Sequence, residues 1–185
     1  MDTNYIMSVR FFPWWSDAES SQVVGLISMI NSILKDKPNI NNLVEIGSHL
    51  GESTTIFLGF ENIHSIHCVD PWNQNPIYEK IFDARLEDFI KNNRCKKLKT
   101  ISTKACSRFA NESIDMVYID GNHDYDNVKT DISVWYPKLI SGGILAGHDY
   151  SIDHPGTKQA IDEFILNKNT SLKTFLDHSW YIIKE

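Results

Sequence analysis

A doubly wound α/β fold with a mostly parallel sheet is predicted for this 185-residue chain by two regularities. Short apolar runs rich in Ile, Val and Leu alternate with segments of helical period, the pattern of a parallel sheet covered on both faces. Several of those runs end in a glycine or an acid, which places polar groups at the carboxyl edge of such a sheet.

The elements follow in order. SDAESSQVVGLISMINSILKDK opens with Ser16 and Glu19 at capping-box spacing, and its Val23, Leu26, Ile27, Ile30, Ile33 and Leu34 recur as one face of a helix. The strand LVEIG follows, then a helix from about Glu52 to Phe60 and the strand SIHCVD, which ends at Asp70. PWNQNPIYEKIFDARLEDFIKNN starts as a loop and turns helical near Pro76, with Ile77, Ile81, Leu86, Phe89 and Ile90 as inward positions. The basic cluster Arg94 to Lys99 reads as a solvated loop before a third strand, LKTIS. KACSRFAN makes a short helix or turn, IDMVYIDG a fourth strand, YDNVKTDISVWYPKLI a helix and GGILAGHD a fifth strand. A helix from about Thr157 to Asn167 and a hairpin of KTFLD and SWYIIK close the chain, the hairpin adding one antiparallel strand to the sheet.

No linker, repeat or low-complexity tract divides the chain, so a single domain is expected over 1–185, with 1–40 as an N-terminal cap segment and helix and 41–185 as the α/β core. The formal charge of −6 gives no general attraction for a nucleic-acid backbone, and no apolar run is long enough for a membrane span. Three cysteines with no CxxC spacing read as free thiols of a reducing compartment. A cytoplasmic protein with a small-molecule substrate is expected, and homo-oligomerisation is left open.

The stretch VEIGSHLGESTTIF carries the first functional signal. Gly47 and Gly51 let the backbone come close to a ligand, but the spacing is not the G-x-G-x-x-G that receives a pyrophosphate. Glu45 stands directly beside the turn, and a carboxylate there repels phosphate and attracts a cation. Asp70 ends the next strand about 20 residues on, where an acid holds ribose hydroxyls. A ligand with an ammonium group, a nucleoside and no phosphate fits both acids, and S-adenosylmethionine is such a ligand. The second signal is the pair YIDGNHDY and GHDY, which brings Asp120, His123, His148 and Asp149 to the same sheet edge. His123 or His148 suits proton abstraction near neutral pH. Asp126 and Asp131 read as capping and surface positions of the next helix, and Trp14 and Trp15 either pack the N-terminal segment or line an acceptor pocket.

Together VEIGSHLGESTTIF, CVDPW, IDMVYIDGNHDY and SGGILAGHDY resemble the class I S-adenosylmethionine-dependent methyltransferases over roughly Asn42 to Tyr150, and within them the small metal-dependent O-methyltransferases of catechol and macrolide-sugar type. That resemblance implies transfer of a methyl group to a hydroxyl of a sugar or phenol. It implies that Glu45, Gly47, Ser48, Gly51 and Ser53 surround the methionine part of the cofactor, Asp70 the ribose, and Trp72 with Lys104, Ala105 and Cys106 the adenine, with Asp120 at the same edge. It also implies a divalent cation, magnesium or another, on Asp120, His148 and Asp149, although relatives carry an acid where this chain has His148 and imidazole suits transition metals. The alternatives are a cofactor-binding module without methyl transfer and a nucleotide-dependent oxidoreductase on the same architecture.

Overall fold

The computed structural model describes residues 17–168 and 170–185, with side chains from residue 22 onward. Helix α1 (Asp17–Asp36) leads into strand β1 (Ile40–Ile46), helix α2 (Glu52–Leu58) and strand β2 (Ile63–Asp70). Helices α3 (Pro76–Arg85) and α4 (Glu87–Lys91) precede β3 (Cys95–Lys99), and α5 (Ser102–Cys106) precedes β4 (Ile114–Ile119). Then come α6 (Tyr125–Trp135), β5 (Leu139–Gly147), α7 (Pro155–Lys168), β6 (Lys173–Thr174) and β7 (Trp180–Ile183). The sheet order is β3-β2-β1-β4-β5-β7-β6, parallel from β3 to β5, with β7 antiparallel to both of its neighbours. The doubly wound architecture and its single antiparallel strand are as expected.

Period-two alternation sorts the strands into two cores. Leu43, Ile66, Met116, Tyr118 and Ile144 face α1, α2 and α3, whereas Val44, Val69, Val117, Ile119 and Leu145 face α5, α6 and α7. Helix α1 places Leu26, Met29, Ile30 and Ile33 in the first core, so it is one of the covering helices. The Ser16 half of its expected capping box, the side chain of Glu19, and Trp14 and Trp15 lie outside the described residues.

Three boundaries differ from expectation, each for a local reason. The expected single helix after Pro76 breaks at Leu86, whose fully buried side chain is drawn into the core, and Phe82 takes the inward position expected of the exposed Ile77. The third strand is Cys95–Lys99 and not LKTIS: the basic cluster is itself the edge strand, with Lys97 paired to Glu79 and Asp83, and such charges protect an edge from further pairing. Pro137 ends α6 in a single 3-10 turn, so β5 begins at Leu139.

The strand order reverses between β1 and β4, whose carboxyl ends are tied together where Asp120 N donates to Ile46 O at 2.8 Å, while Gly47 N donates to Val69 O of β2 at 2.8 Å. Gly47 has φ 88, and a Cβ there would overlap the Asp120 carbonyl oxygen. Gly47→Ala is therefore expected to lose at least about 2 kcal/mol of stability in denaturant unfolding, since backbone strain and overlap coincide at one position.

Candidate functional site

Two cavities open at this edge. The first, of about 630 Å³, lies over the ends of β1 and β2 and is lined by Gly47, Ser48, Ser53, Asp70, Trp72 and Asp120, among others. The second, of about 500 Å³, lies between α1 and the ends of β4 and β5, and is lined by Gln22, Val23, Tyr118, Asp120, His148, Asp149 and others. Glu52, Ser53, Asp120 and His123 line both.

Most residues singled out from sequence lie here, though several act differently than expected. Glu45 is fully buried and lies beneath the first cavity, not on its wall; its carboxylate accepts hydrogen bonds from the hydroxyls of Ser53 and Thr54. Burial pushes the Glu45 carboxyl up, and the two hydroxyls oppose that. Gly51, with φ 80, lines neither cavity, and a Cβ there would stand 2.8 Å from Leu86 Cδ1. Asp70 is oriented by two backbone N–H groups, those of His49 at 3.0 Å and Trp72 at 2.6 Å, and faces the first cavity. The Trp72 indole is pinned between Phe82 and the His49 carbonyl, to which its N–H donates at 2.7 Å.

Lys104 and Ala105 do not line either cavity. Ala105 is buried in the second core and Lys104 is exposed on the outer side of α5, so Ile101, Ser102 and Thr103 form that wall instead. Asp131, expected on the helix surface, is buried at the same wall and is pushed up to about 6 by burial, opposed by the Ser102 hydroxyl that it accepts from. The Trp135 indole N–H donates to that Ser102 oxygen at 2.8 Å, and Asp124, not Asp126, caps α6 by accepting from Asn127 N at 3.0 Å.

At the second cavity Asp120, His148 and Asp149 come together, each offering a ligand atom within 4.8 Å of the others. A second group, His123, Asp149 and His154, meets the same distance. Asp149 has φ 62, an uncommon backbone for a side-chain-bearing residue and one that aspartate tolerates better than most. His148 Nδ1 stands 2.9 Å from Asp149 Oδ1, and His148 Nε2 stands 3.8 Å from Asp177 Oδ2. Burial opposes charge on that ring, but the Asp149 hydrogen bond and the charges of Asp120, Asp149 and Asp177 push it up to about 9. That shift favours the imidazolium at neutral pH, a form that does not accept a proton, at a position where sequence suggested a base. Asp149 is held below the usual carboxylate range: burial works the other way, but the His148 hydrogen bond and the neighbouring imidazoles win. Asp120, partly exposed at the cavity wall, is pushed up to about 7 by desolvation and by Asp149, Glu45 and Asp177, with His148 opposing.

His154 and Asp177 were not legible as site residues. Neither follows a core strand, and only packing of the last hairpin and of the segment before α7 brings them in.

A family profile described as "Methyltransferase domain" matches residues 44–150, well over half of the chain. The chain belongs to that methyltransferase family. Those residues coincide with the stretch whose motifs carried the resemblance, and the structural neighbours agree. CalS11, a TDP-rhamnose 3'-O-methyltransferase of calicheamicin biosynthesis, superposes with a TM-score of 0.68 over 91% of this chain and 80% of its own, at 15% identity. An rRNA methylase from Streptococcus thermophilus does so with a TM-score of 0.61 over 85% of this chain and 93% of its own, at 16% identity. At such identities the fold alone is shared. Among curated proteins, the uncharacterized protein y4gI of Sinorhizobium fredii is 26% identical over 126 residues, which is 62% of this chain and 14% of that protein. Among the described residues of this methyltransferase-family chain, no helix is long and apolar enough to cross a membrane.

The raised value at His148 has a measurable consequence for stability. Folded, the ring keeps its proton to pH about 9, whereas unfolded it releases it near 6.5. Its stabilising effect is complete below 6.5 and is lost as pH rises toward 9. Chelator-treated wild type is expected to lose thermal stability over that window relative to His148→Gln; parallel pH curves for the two proteins would contradict the assignment.

Proposed function

We propose that the chain transfers the methyl group of S-adenosylmethionine to a hydroxyl oxygen of a small polar acceptor, a sugar or a phenol. Family membership supports the donor, and one observation supports the arrangement: Asp120 lines both cavities, so a carboxylate stands where a donor in the first would meet an acceptor in the second.

In this reading the first cavity holds the cofactor. Gly47, Ser48 and Ser53 border its methionine part, with the buried Glu45 supplying negative charge through the Ser53 and Thr54 hydroxyls toward the ammonium group. Asp70, fixed by two backbone N–H groups, keeps acceptor capacity for ribose hydroxyls, and the adenine rests against the wall of Ile101, Ser102 and Thr103. The acceptor enters the second cavity with its hydroxyl toward Asp120.

The oxygen forms a bond to the methyl carbon as the carbon–sulfur bond breaks, its electron pair remaining on sulfur as a neutral thioether. The hydroxyl proton passes to an Asp120 carboxylate oxygen. A group near pKa 7 suits this task, because a substantial fraction is ionised near neutral pH and is still basic enough to accept. His148 holds the neighbouring Asp149 in place by its Nδ1–H. A divalent cation bound among Asp120, Asp149 and the surrounding imidazoles would lower the pKa of the acceptor hydroxyl and fix its direction.

Asp120→Asn tests this. Turnover with hydroxylated acceptors is expected to fall at least ~100-fold while S-adenosylhomocysteine affinity stays within about threefold. Wild-type kcat/KM, with no cation added, is expected to rise with pH through about 7 as Asp120 ionises. Unchanged turnover in the variant, or a flat profile across that pH, would remove Asp120 from the reaction.

A further inference from the structure

We propose that His123, His154 and Asp149 form a binding site for a transition-metal dication such as Co²⁺ or Zn²⁺, with His148 orienting Asp149 from outside and not ligating the ion.

Three imidazoles converge on this one carboxylate. His123 Nε2 stands 3.0 Å from Asp149 Oδ2, His154 Nε2 stands 3.4 Å from Asp149 Oδ1, and His148 Nδ1 stands 2.9 Å from the same Oδ1. The three imidazoles do not have equal freedom. His148 has a carboxylate oxygen facing each ring nitrogen: Asp149 on one side, and on the other Asp177 Oδ2, a buried oxygen with no hydrogen-bond partner among the described residues. Its Nδ1 is engaged by Asp149 at hydrogen-bond distance and its Nε2 faces the buried Asp177 carboxylate at 3.8 Å, so both ring nitrogens are directed at carboxylates and not at a shared ion. Its side chain is also the least open of the three, at 16% against 44% for His123 and 36% for His154.

His123 and His154 both turn Nε2 toward Asp149 from the second cavity. Two protonated rings placed edge to face, with centroids 5.0 Å apart, repel each other over a carboxylate already engaged by His148. Two rings with Nε2 unprotonated set lone pairs against carboxylate oxygens. A cation removes both conflicts. Two donors each about 2.1 Å from one ion stand about 3.0 to 3.4 Å apart at octahedral to tetrahedral angles, which is the range the two contacts span. The pairing is also built into the backbone. Thr157 in the first turn of α7 donates to the His123 carbonyl at 3.2 Å, and His154 N donates to Ser151 O at 3.3 Å, so the approach to α7 seats His154 over His123.

The ion class follows from the donors. Two imidazoles with one carboxylate suit a transition metal, whereas magnesium favours oxygen ligands. Binding rests on these side chains alone; only the ion's part in methyl transfer rests on the proposed function.

The test uses the full chain after chelator treatment, titrated with Co²⁺ or Mg²⁺ and followed by Co²⁺ visible absorption and X-ray absorption. One equivalent of Co²⁺ is expected to bind at least ~100-fold more tightly than Mg²⁺, with two imidazoles in its coordination sphere. His154→Gln is expected to weaken Co²⁺ at least ~100-fold, and His148→Gln only about tenfold. Metal-free melting curves of both variants, and X-ray absorption on wild type, separate a lost ligand from a lost fold. Unchanged Co²⁺ affinity in His154→Gln, a single imidazole on the bound ion, or equal affinity for Mg²⁺ would overturn the site. S-adenosylhomocysteine binding is titrated in parallel: Co²⁺ bound as expected without it keeps the site and refutes the function, and the reverse refutes the site alone.

Discussion

The contact between the ends of β1 and β4 is the constraint on which the functional edge depends. Asp120 N closes on Ile46 O while Gly47 passes so near the Asp120 carbonyl that no side chain fits. This closeness lets one carboxylate face two cavities. A wider gap at the reversal of strand order would leave the two compartments separate, with Asp120 belonging to one of them. The fold's general tendency to bind ligands where strand order reverses thus takes a specific form here, two cavities that share Glu52, Ser53, Asp120 and His123.

Much of the fold was legible because apolar periodicity survives in every core strand. Leu43 and Val44, or Met116 and Val117, announce two covered faces by pointing in opposite directions. What failed was local competition. LKTIS looks like a strand by composition, but the ladder with β2 pairs Cys95 with Ile66 and continues to Lys99, so one face made of the buried Cys95 and the salt-bridged Lys97 and Lys99 prevailed over apolar content. Leu86 breaks a helix whose residues otherwise continue the helical pattern, because its side chain is worth more buried under Gly51. Of the site, the residues at strand ends were legible, since a strand end fixes where a side chain begins. Those supplied by later packing were not: His154, Asp177 and Asp131 carry no signal in their neighbours that separates them from turn, hairpin and helix-surface residues.

Charge at the second cavity is organised in tiers. Asp177 lies innermost, bonded to Ser179 N and to the Ser179 hydroxyl; His148 stands above it, Asp149 above that, and the more open His123 and His154 form the rim. Each tier fixes the orientation of the next, so the outer imidazoles meet a carboxylate that cannot rotate away. Asp120 feels both of these carboxylates, and Glu45 as well, and remains basic near neutral pH, while Asp149, screened by its histidines, stays below the usual carboxylate range. Two acids a few ångströms apart are thereby given different duties by their neighbours alone.

Gly25 of α1 rests directly on Asp177, with no room between them for a Cβ. The foundation of the charged tiers therefore joins an early helix to a late hairpin. During synthesis the parallel strands β1 to β5 can pair before that hairpin exists, since every residue of those ladders precedes it. The first cavity can thus take shape on the nascent chain, while the second waits for β7 to dock and for α1 to close over Asp177. Long-range closure of this kind is slow compared with local helix and strand formation. The ladder edge that carries Gly47 and Asp70 would then be in place before the charged tiers of Asp177, His148 and Asp149 are complete.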